Sequence, residues 1–165
     1  RPPRSTLFPY TTLFRSEAVA ASVINTTSTS GLFANPGQAN YGAAKSGIAT
    51  LSIIAAKELG RYGVRVNAIA PGGLTRMTKK LGPRYATGLA EDRWDERDPE
   101  NVAPMVAWLA SPESKDVTGE VFYVSGSKIQ YVRQWARGPV ADAGRRWTAA
   151  ELGDIVPDLI AQGTR

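Results

Sequence analysis

The sequence predicts an α/β fold, in which a parallel sheet of about three strands is flanked by helices. Apolar, β-branched runs occur at residues 19–27, 64–70 and 120–124, and helical segments at 41–59 and 98–110 separate them. Such an alternation with short links produces parallel strands joined by right-handed crossovers. The strands are apolar along their whole length, which is typical of a sheet covered on both faces.

The first strand ends in threonine and serine, and residues 28–40 after it are predicted to form a loop. Glycine, asparagine and proline punctuate that stretch. The helix over 41–59 is rich in alanine, leucine and isoleucine, and it is predicted to end at Gly60. The second strand is predicted to close at the Pro-Gly-Gly sequence that follows residue 70.

The next part of the chain is less regular. Residues 75–97 are polar, charged and weakly periodic, which predicts a mobile segment with short helical pieces. Asp98 then provides a helix N-cap and Pro99 the first helical position. The helix is expected to run to about Ala110, before the third strand.

Three parts are expected along the chain: 1–16, which do not fit the pattern; 17–128, which hold the α/β elements; and a tail, 129–165. In the tail, Thr148 and Glu151 have the spacing of a capping box, which predicts a short helix. Pro157 is expected to interrupt the apolar side of that helix.

Composition excludes several classes of site. The 165 residues contain no cysteine and no histidine, so thiolate and imidazole chemistry are absent and no metal site is expected. The net charge is +5, but residues 1–16 hold three of the 20 basic residues and no acidic one, and without them it falls to +2. The remaining charges are scattered, so no nucleic-acid partner is expected. No apolar run approaches the ~18 residues of a membrane span.

Tyr41 and Lys45 are the first candidate pair for chemistry. They lie four residues apart on a predicted helix, so their side chains share one face. A free phenol has a pKa near ~10, and an ammonium group a few ångströms away favours its anion. Such a pair can act as a general acid and base without histidine. Alone, this spacing is equally compatible with an ordinary helix surface.

Ser28 is the second candidate, because it follows the first strand and precedes Tyr41 by thirteen residues. Ligands of open α/β sheets bind beyond the carboxyl ends of the strands. A hydroxyl there could hold a carbonyl or hydroxyl oxygen of a substrate. A turn or cap role fits Ser28 as well, and Thr29 or Ser30 could serve on the same reasoning.

The third candidate is the turn after the second strand, APGGLT at residues 70–75. Proline and glycine allow the backbone to turn sharply and to approach a flat ligand closely. The hydroxyl of Thr75 could bind an amide or a phosphate. Without the other two sites, the turn would be no more than a tight loop.

Together these stretches resemble the short-chain dehydrogenase/reductase family. SVINTTSTSGLFANPGQANYGAAKSGIATL is similar to its active-site strand, loop and helix, and VRVNAIAPG is similar to the strand and cofactor-binding turn that follow. The resemblance runs from about Val23 to Lys128. It implies the C-terminal part of a Rossmann-type doubly wound parallel sheet, and an NAD(P)-dependent oxidoreductase that moves a hydride at an alcohol or ketone carbon.

The resemblance also implies roles for single residues. Ser28 would orient the substrate oxygen, Tyr41 would transfer the proton, and Lys45 would assist Tyr41 and hold the nicotinamide ribose. Six residues would bind the cofactor, NAD or NADP: Tyr41, Lys45, Pro71, Gly72, Leu74 and Thr75.

A narrower resemblance concerns the substrate. GLFANPGQANYGAAK, PENVAPMVAWLAS and the tail are similar to the dehydrogenase domain of peroxisomal multifunctional enzymes and their bacterial relatives, which act on 3-hydroxyacyl-CoA. A hydroxyacyl or oxoacyl substrate and a cytoplasmic location are therefore expected. A 3-oxoacyl-carrier-protein reductase and a non-catalytic binding protein of the same fold remain alternatives. The family usually forms homodimers or homotetramers, and Ala43, Ala44 and Gly47 would allow close helix approach.

The family's first half has no counterpart in this sequence. The glycine-rich turn for the pyrophosphate and the catalytic asparagine are missing, so we expect a C-terminal half that is poorly folded and inactive when expressed alone. Residues 6–16, TLFPYTTLFRS, can be encoded by a DNA string that is similar to a common sequencing adapter. Our hypothesis is that residues 1–16 are adapter-derived and do not belong to the protein.

Overall fold

The computed structural model describes residues 20–75 and 94–163. Within them the chain forms one four-stranded sheet in the order β1-β2-β3-β4. The first three strands are parallel, and β4 runs antiparallel to β3. The strands are β1 (Ala21–Thr26), β2 (Val64–Gly72), β3 (Val121–Ser125) and β4 (Lys128–Val132). The predicted α/β class and its parallel sheet are confirmed.

The described residues form four α-helices: α1 (Thr29–Phe33), α2 (Ala39–Leu59), α3 (Ala103–Ala110) and α4 (Leu152–Gly163). Short 3₁₀ turns lie at Gly60–Tyr62, Pro99–Val102 and Pro112–Ser114. The predicted cap at Asp98 is confirmed, because its carboxylate accepts a hydrogen bond from Glu100 N at 2.9 Å. The turn that follows is 3₁₀ and passes into α3 at Ala103.

The prediction of an uninterrupted loop over residues 28–40 is wrong, because α1 forms within it. Ser28 has an extended backbone and caps α1, and its carbonyl accepts from Gly31 N and Leu32 N. The helix has only five residues and contains a glycine, so propensity alone does not indicate it. Packing against α2 stabilises α1, although the residues of α1 have a low helix propensity of their own.

The predicted end of the second strand at residue 70 is also wrong, because β2 continues through Pro71 and Gly72. Ile69 O accepts from Thr27 N, so the backbone groups of Ile69 face β1, and those of Pro71, two residues on, face the same side. There β1 has already ended at Thr26, so the N–H that proline lacks has no partner to lose.

The core consists of apolar clusters on both faces of the sheet. One joins α2 to β2 through Ala55, Ala56, Val64 and Val66. Another packs α3 against the centre of the sheet through the buried residues Ile69, Met105, Leu109 and Val124. Helices therefore cover both faces of the parallel strands, as the continuous apolar runs predict.

The chain divides into two compact units, residues 1–132 and 133–165. Strand β4, which was not predicted, extends the sheet of the first unit to Val132, and the predicted boundary after residue 128 falls at its start. In the second unit the Glu151 carboxylate accepts from Thr148 N at 2.8 Å, as in a capping box. Helix α4 continues past Pro157, so the predicted interruption is wrong; the proline removes one backbone hydrogen bond, and the helix persists to Gly163.

Two predictions fall on other parts of the chain. Residues 1–16, proposed to be foreign, and most of the predicted mobile segment 75–97 lie outside the described residues. In the part of the chain that is described, no helix combines the length and the apolar character that a bilayer crossing requires.

Candidate active site

Lys45 links helix α2 to the end of strand β1. Its Nζ donates a hydrogen bond to Thr26 O at 3.0 Å and lies 5.8 Å from the centre of the Tyr41 ring. Tyr41 stands in the first turn of α2 with 45 % of its surface exposed. The helical spacing of four therefore places the phenol and the ammonium group side by side at the carboxyl edge of the sheet.

Ser28 lies two residues beyond the carbonyl that Lys45 contacts. Its Oγ accepts a long hydrogen bond of 3.3 Å from Ser30 N, which is the cap role that its position allows. Ser30 lies within α1, and its hydroxyl instead donates to Gln38 Oε1 at 2.5 Å, at the residue just before α2. Of these two serines, Ser28 is the one nearer in sequence to the Lys45 contact at the end of β1.

Two glycines bring α1 against the first turns of α2. A Cβ at Gly31 would lie 2.6 Å from Ser46 N and 2.7 Å from Lys45 C, closer than real Cβ contacts. A Cβ at Gly42 would lie 3.0 Å from Ser30 O. The backbone after Ser28 thus runs directly along the backbone of Lys45, which a larger side chain at position 31 would prevent.

Thr27 is a site residue that the sequence did not reveal. Its side chain is 2 % exposed, and its Oγ1 donates to Lys45 O at 2.6 Å. From the sequence, a threonine next to a serine at the end of a strand is interpreted as part of a Thr/Ser-rich turn. The bond joins residues 18 positions apart, so no local pattern could have indicated it.

The turn over residues 70–75 leaves the sheet next to the end of β3. Thr26 pairs with Ile69, so β2 runs three residues past the end of β1, and its Gly72 pairs with Ser125. A Cβ at Gly72 would lie 2.6 Å from Ser125 Oγ. Leu74 N donates to Arg97 O at 2.7 Å, which fixes the direction of the turn.

The site therefore has two parts at one edge of the sheet. Lys45 and Tyr41 lie together at the end of β1, which Ser28 follows by two residues. Pro71 and Gly72 end the neighbouring strand β2, and Leu74 and Thr75 follow it. Among the described residues, no group of three or more acidic side chains is arranged to hold a metal ion. The chemistry available here is proton transfer by the phenol and hydrogen bonding by the hydroxyl and the ammonium groups.

A separate cleft of about 630 Å³ opens at the end of β3. Its lining combines apolar residues such as Trp94, Met105 and Ile129 with the carboxylates of Asp95, Asp98 and Glu100. Asp95 accepts from Arg97 N at 2.8 Å and Asp98 caps the following turn. Both carboxylates therefore already accept hydrogen bonds from nearby backbone N–H groups.

Known proteins are similar to this chain in sequence and in fold. The model of the family described as enoyl-(acyl carrier protein) reductase matches residues 10–126. Hydroxyacyl-CoA dehydrogenase ChsB1 of Mycobacterium tuberculosis is 38% identical over 146 residues, covering 87% of this chain and 45% of that protein. The 3-oxoacyl-[acyl-carrier-protein] reductase FabG of Thermotoga maritima is 42% identical over 112 residues, covering 66% of this chain and 45% of that protein.

Solved structures give the same result. A short chain dehydrogenase from Mycobacterium avium superposes with a TM-score of 0.75 at 50% identity, covering 89% of this chain and 47% of that one. Full-length peroxisomal multifunctional enzyme type 2 from Drosophila melanogaster has a TM-score of 0.63 at 25% identity, covering 84% and 24%. The chain spans about half the length of the curated relatives that it matches first.

Proposed function

We propose that this chain, which belongs to the short-chain dehydrogenase/reductase family, carries the catalytic residues of an NAD(P)-dependent oxidoreductase. The reaction would interconvert a secondary alcohol and a ketone on a 3-hydroxyacyl or 3-oxoacyl substrate. The observation that carries the proposal is the placement of the Lys45 ammonium group beside the Tyr41 ring and at the strand end that precedes Ser28.

Each of the three side chains would have one task. Tyr41 would donate a proton to the substrate oxygen in reduction and accept it in oxidation, since its phenol is exposed and lies beside the Lys45 ammonium group. Lys45 would stabilise the phenolate by its charge. Ser28 would donate a hydrogen bond to the same substrate oxygen and hold it in line with Tyr41.

The polar groups at this edge fit part of a nicotinamide cofactor. Lys45 uses one of its three N–H donors on Thr26, so further donors suit the hydroxyls of a ribose. The residues that would hold the cofactor are Tyr41, Lys45, Pro71, Gly72, Leu74 and Thr75. Leu74 N already donates to Arg97, so the contribution of Leu74 would come from its carbonyl or side chain. When bound, the nicotinamide supplies or accepts the hydride.

An acyl thioester is the substrate class that the relatives support. The similar proteins include hydroxyacyl-CoA dehydrogenases and a 3-oxoacyl-[acyl-carrier-protein] reductase, whose names give the alcohol and the ketone form of an acyl group on two different carriers. The coenzyme A form is our first choice, because hydroxyacyl-CoA dehydrogenase ChsB1 matches over 87% of this chain and the reductase over 66%. Carrier preference is a separate question from the chemistry at Tyr41.

We also propose a homodimer or homotetramer in the cytoplasm, assembled in part through α2. One side of this helix exposes Ala43, Ala44 and Gly47, followed by the half-exposed Leu51 and Ile54. Small residues at the start of this stripe would let a second helix approach closely, and the two large ones would then become buried.

The test uses a full-length protein that contains residues 17–165. It should reduce NAD⁺ or NADP⁺ in the presence of a 3-hydroxyacyl-CoA, measured by the absorbance of the reduced nicotinamide. Ser28→Ala and Lys45→Met should lower kcat by about 100-fold or more. Cofactor binding without turnover of any hydroxyacyl or oxoacyl thioester would instead support the non-catalytic alternative. A faster reaction with acyl-carrier-protein substrates would support the reductase alternative.

A further inference from the structure

We propose that Thr27 is a positioning residue, whose hydroxyl fixes the helical turn of Lys45 and Tyr41 against the strand end that carries Ser28. The proposal rests on the function proposed above, because it assigns a task to a residue that touches neither substrate nor cofactor.

Thr27 is anchored to two different elements. Its backbone N–H donates to Ile69 O of β2 at 2.8 Å, so its main chain is fixed to the sheet. Its Oγ1 donates to Lys45 O of α2 at 2.6 Å, and the side chain is buried. Thr27 thus fixes the backbone of α2 at Lys45 relative to the sheet.

The neighbouring residue completes a two-point attachment. Thr26 O accepts from Lys45 Nζ at 3.0 Å, while Thr27 Oγ1 bonds to the main-chain carbonyl of the same lysine. Thr26, the last residue of β1, and Thr27, which follows it, therefore hold both the side chain and the backbone of Lys45. Hydrogen bonds are directional, so two of them at different atoms restrict rotation of this helical turn as well as its distance from the strand.

Apolar packing contributes little to placement at this end of α2. The buried residues of the helix begin at Ala49, one turn after Lys45, and are all small: Ala49, Ser52, Ala55 and Ala56. Tyr41 and Ala44 are exposed, and Lys45 is only half-buried. The turn that carries both candidate catalytic side chains has no large buried anchor of its own, so the Thr27 bond has few substitutes.

The experiment compares Thr27→Val, which removes the hydroxyl and keeps the shape, with Thr27→Ser, which keeps the hydroxyl and loses a methyl group. Ser52→Ala is the matched control, because Ser52 is buried on the same helix and also joins it to β1. Its hydroxyl accepts from Asn25 Nδ2 at 2.9 Å and donates to Ile48 O at 2.8 Å, in a turn that carries neither Lys45 nor Tyr41. All are made in the full-length protein and assayed for kcat, KM and melting temperature with a 3-hydroxyacyl-CoA.

Thr27→Val should lower kcat by about 10- to 100-fold, since a misplacement of about 1 Å can have that effect. KM should stay within about twofold, because substrate binding is not removed. Thr27→Ser should restore kcat, and Ser52→Ala should lower the melting temperature without a comparable loss of kcat. If Thr27 contributed only to stability, Thr27→Val would lower the melting temperature without a selective loss of kcat.

Three results would overturn the proposal: wild-type kcat in Thr27→Val, no recovery in Thr27→Ser, or equal losses of kcat in Thr27→Val and Ser52→Ala. If Thr27→Val does not fold, Thr27→Ala replaces it with the same expectation, and failure of both to fold would also overturn it. Wild-type activity in Tyr41→Phe would refute the proposed function itself. An inactive Tyr41→Phe with a fully active Thr27→Val would refute only the positioning role.

Discussion

Helices α2 and α3 lie on opposite faces of strand β1, and different contacts hold them there. On one face, Asn25 Nδ2 donates to Ser52 Oγ of α2, and on the other, Ser22 Oγ donates to Leu109 O of α3. Helix α3 buries the large residues Met105 and Leu109. Helix α2 buries only alanines and a serine, although it is more than twice as long.

Helices α2 and α3 therefore differ in what stabilises them and in what fixes their positions. Burial of large apolar side chains stabilises α3 strongly but is non-directional, so it tolerates small shifts. The two hydrogen bonds of Lys45, to Thr26 O and from Thr27 Oγ1, and the close backbone contact at Gly31 define where the first half of α2 lies. The helix proposed to do chemistry is thus the one whose position depends on directional contacts.

Replacing the buried leucine of α3 should lower the free energy of unfolding much more than replacing the half-exposed leucine of α2. Leu109 is fully buried, so Leu109→Ala should lower the free energy of unfolding by about 2–5 kcal/mol. Leu51, on α2, is 50 % exposed, and Leu51→Ala should cost less than about 1.5 kcal/mol in the monomer. Urea unfolding of both variants measures the difference. Equal losses under monomeric conditions would contradict the contrast, and a large loss at Leu51 only in an oligomer would support the proposed interface.

A second prediction concerns placement rather than burial. Gly31→Ala puts a Cβ 2.6 Å from Ser46 N, so α1 must move away from α2. We expect kcat to fall by about 100-fold and stability by about 1–3 kcal/mol. Gly60→Ala is the control, because its Cβ meets nothing within 4 Å and its φ of −55° suits alanine. Wild-type kcat in Gly31→Ala would show that the close contact has no role in the reaction.

The smallest expected effect lies in the second unit, where the polar contacts are exposed. Arg145, then Thr148 N and the Thr148 hydroxyl, lower the pKa of Glu151 from 4.5 to about 2. A carboxyl with a lowered folded-state pKa stabilises the fold above pH 4.5, and that contribution is lost as the pH falls towards 2.

An NMR titration of the Glu151 carboxyl carbon measures this directly. In Arg145→Ala the midpoint should move up towards the ordinary value, whereas Arg146→Ala should leave it low because only Arg145 contacts the carboxylate among the charged groups described. An unchanged midpoint in Arg145→Ala would contradict the assignment. The global stability should change little in either variant, since exposed ion pairs contribute little.

The parallel part of the fold could be predicted from the sequence because its signals are local. Continuous apolar runs indicate β1, β2 and β3, and helix α2 ends at the predicted Gly60. Strand β4 carries no such signal: four of its five residues are exposed, and it is stabilised by pairing with β3. Helix α1 likewise depends on a cap and on contact with α2 rather than on helix-forming residues.

The candidate site likewise contains residues that could be predicted from the sequence and residues that could not. Ser28, Tyr41 and Lys45 could be singled out by residue type and spacing, and the structure places the Lys45 ammonium group beside the Tyr41 ring. Their catalytic roles stay a prediction. The groups that hold them, Thr27 and Gly31, could not be found from the sequence, because their contacts depend on how a strand and two helices meet.

The proposed function depends above all on the phenol of Tyr41, which would carry the proton in this reaction. The most direct measurement compares Tyr41→Phe with Tyr62→Phe in the full-length protein, following nicotinamide reduction with a 3-hydroxyacyl-CoA. Tyr62 is the matched control, because it lies beyond the other end of α2 with its ring against Arg61. We predict a loss of at least about 100-fold in kcat for Tyr41→Phe and none for Tyr62→Phe. Turnover of Tyr41→Phe at the wild-type rate would show that the phenol of Tyr41 does not transfer the proton.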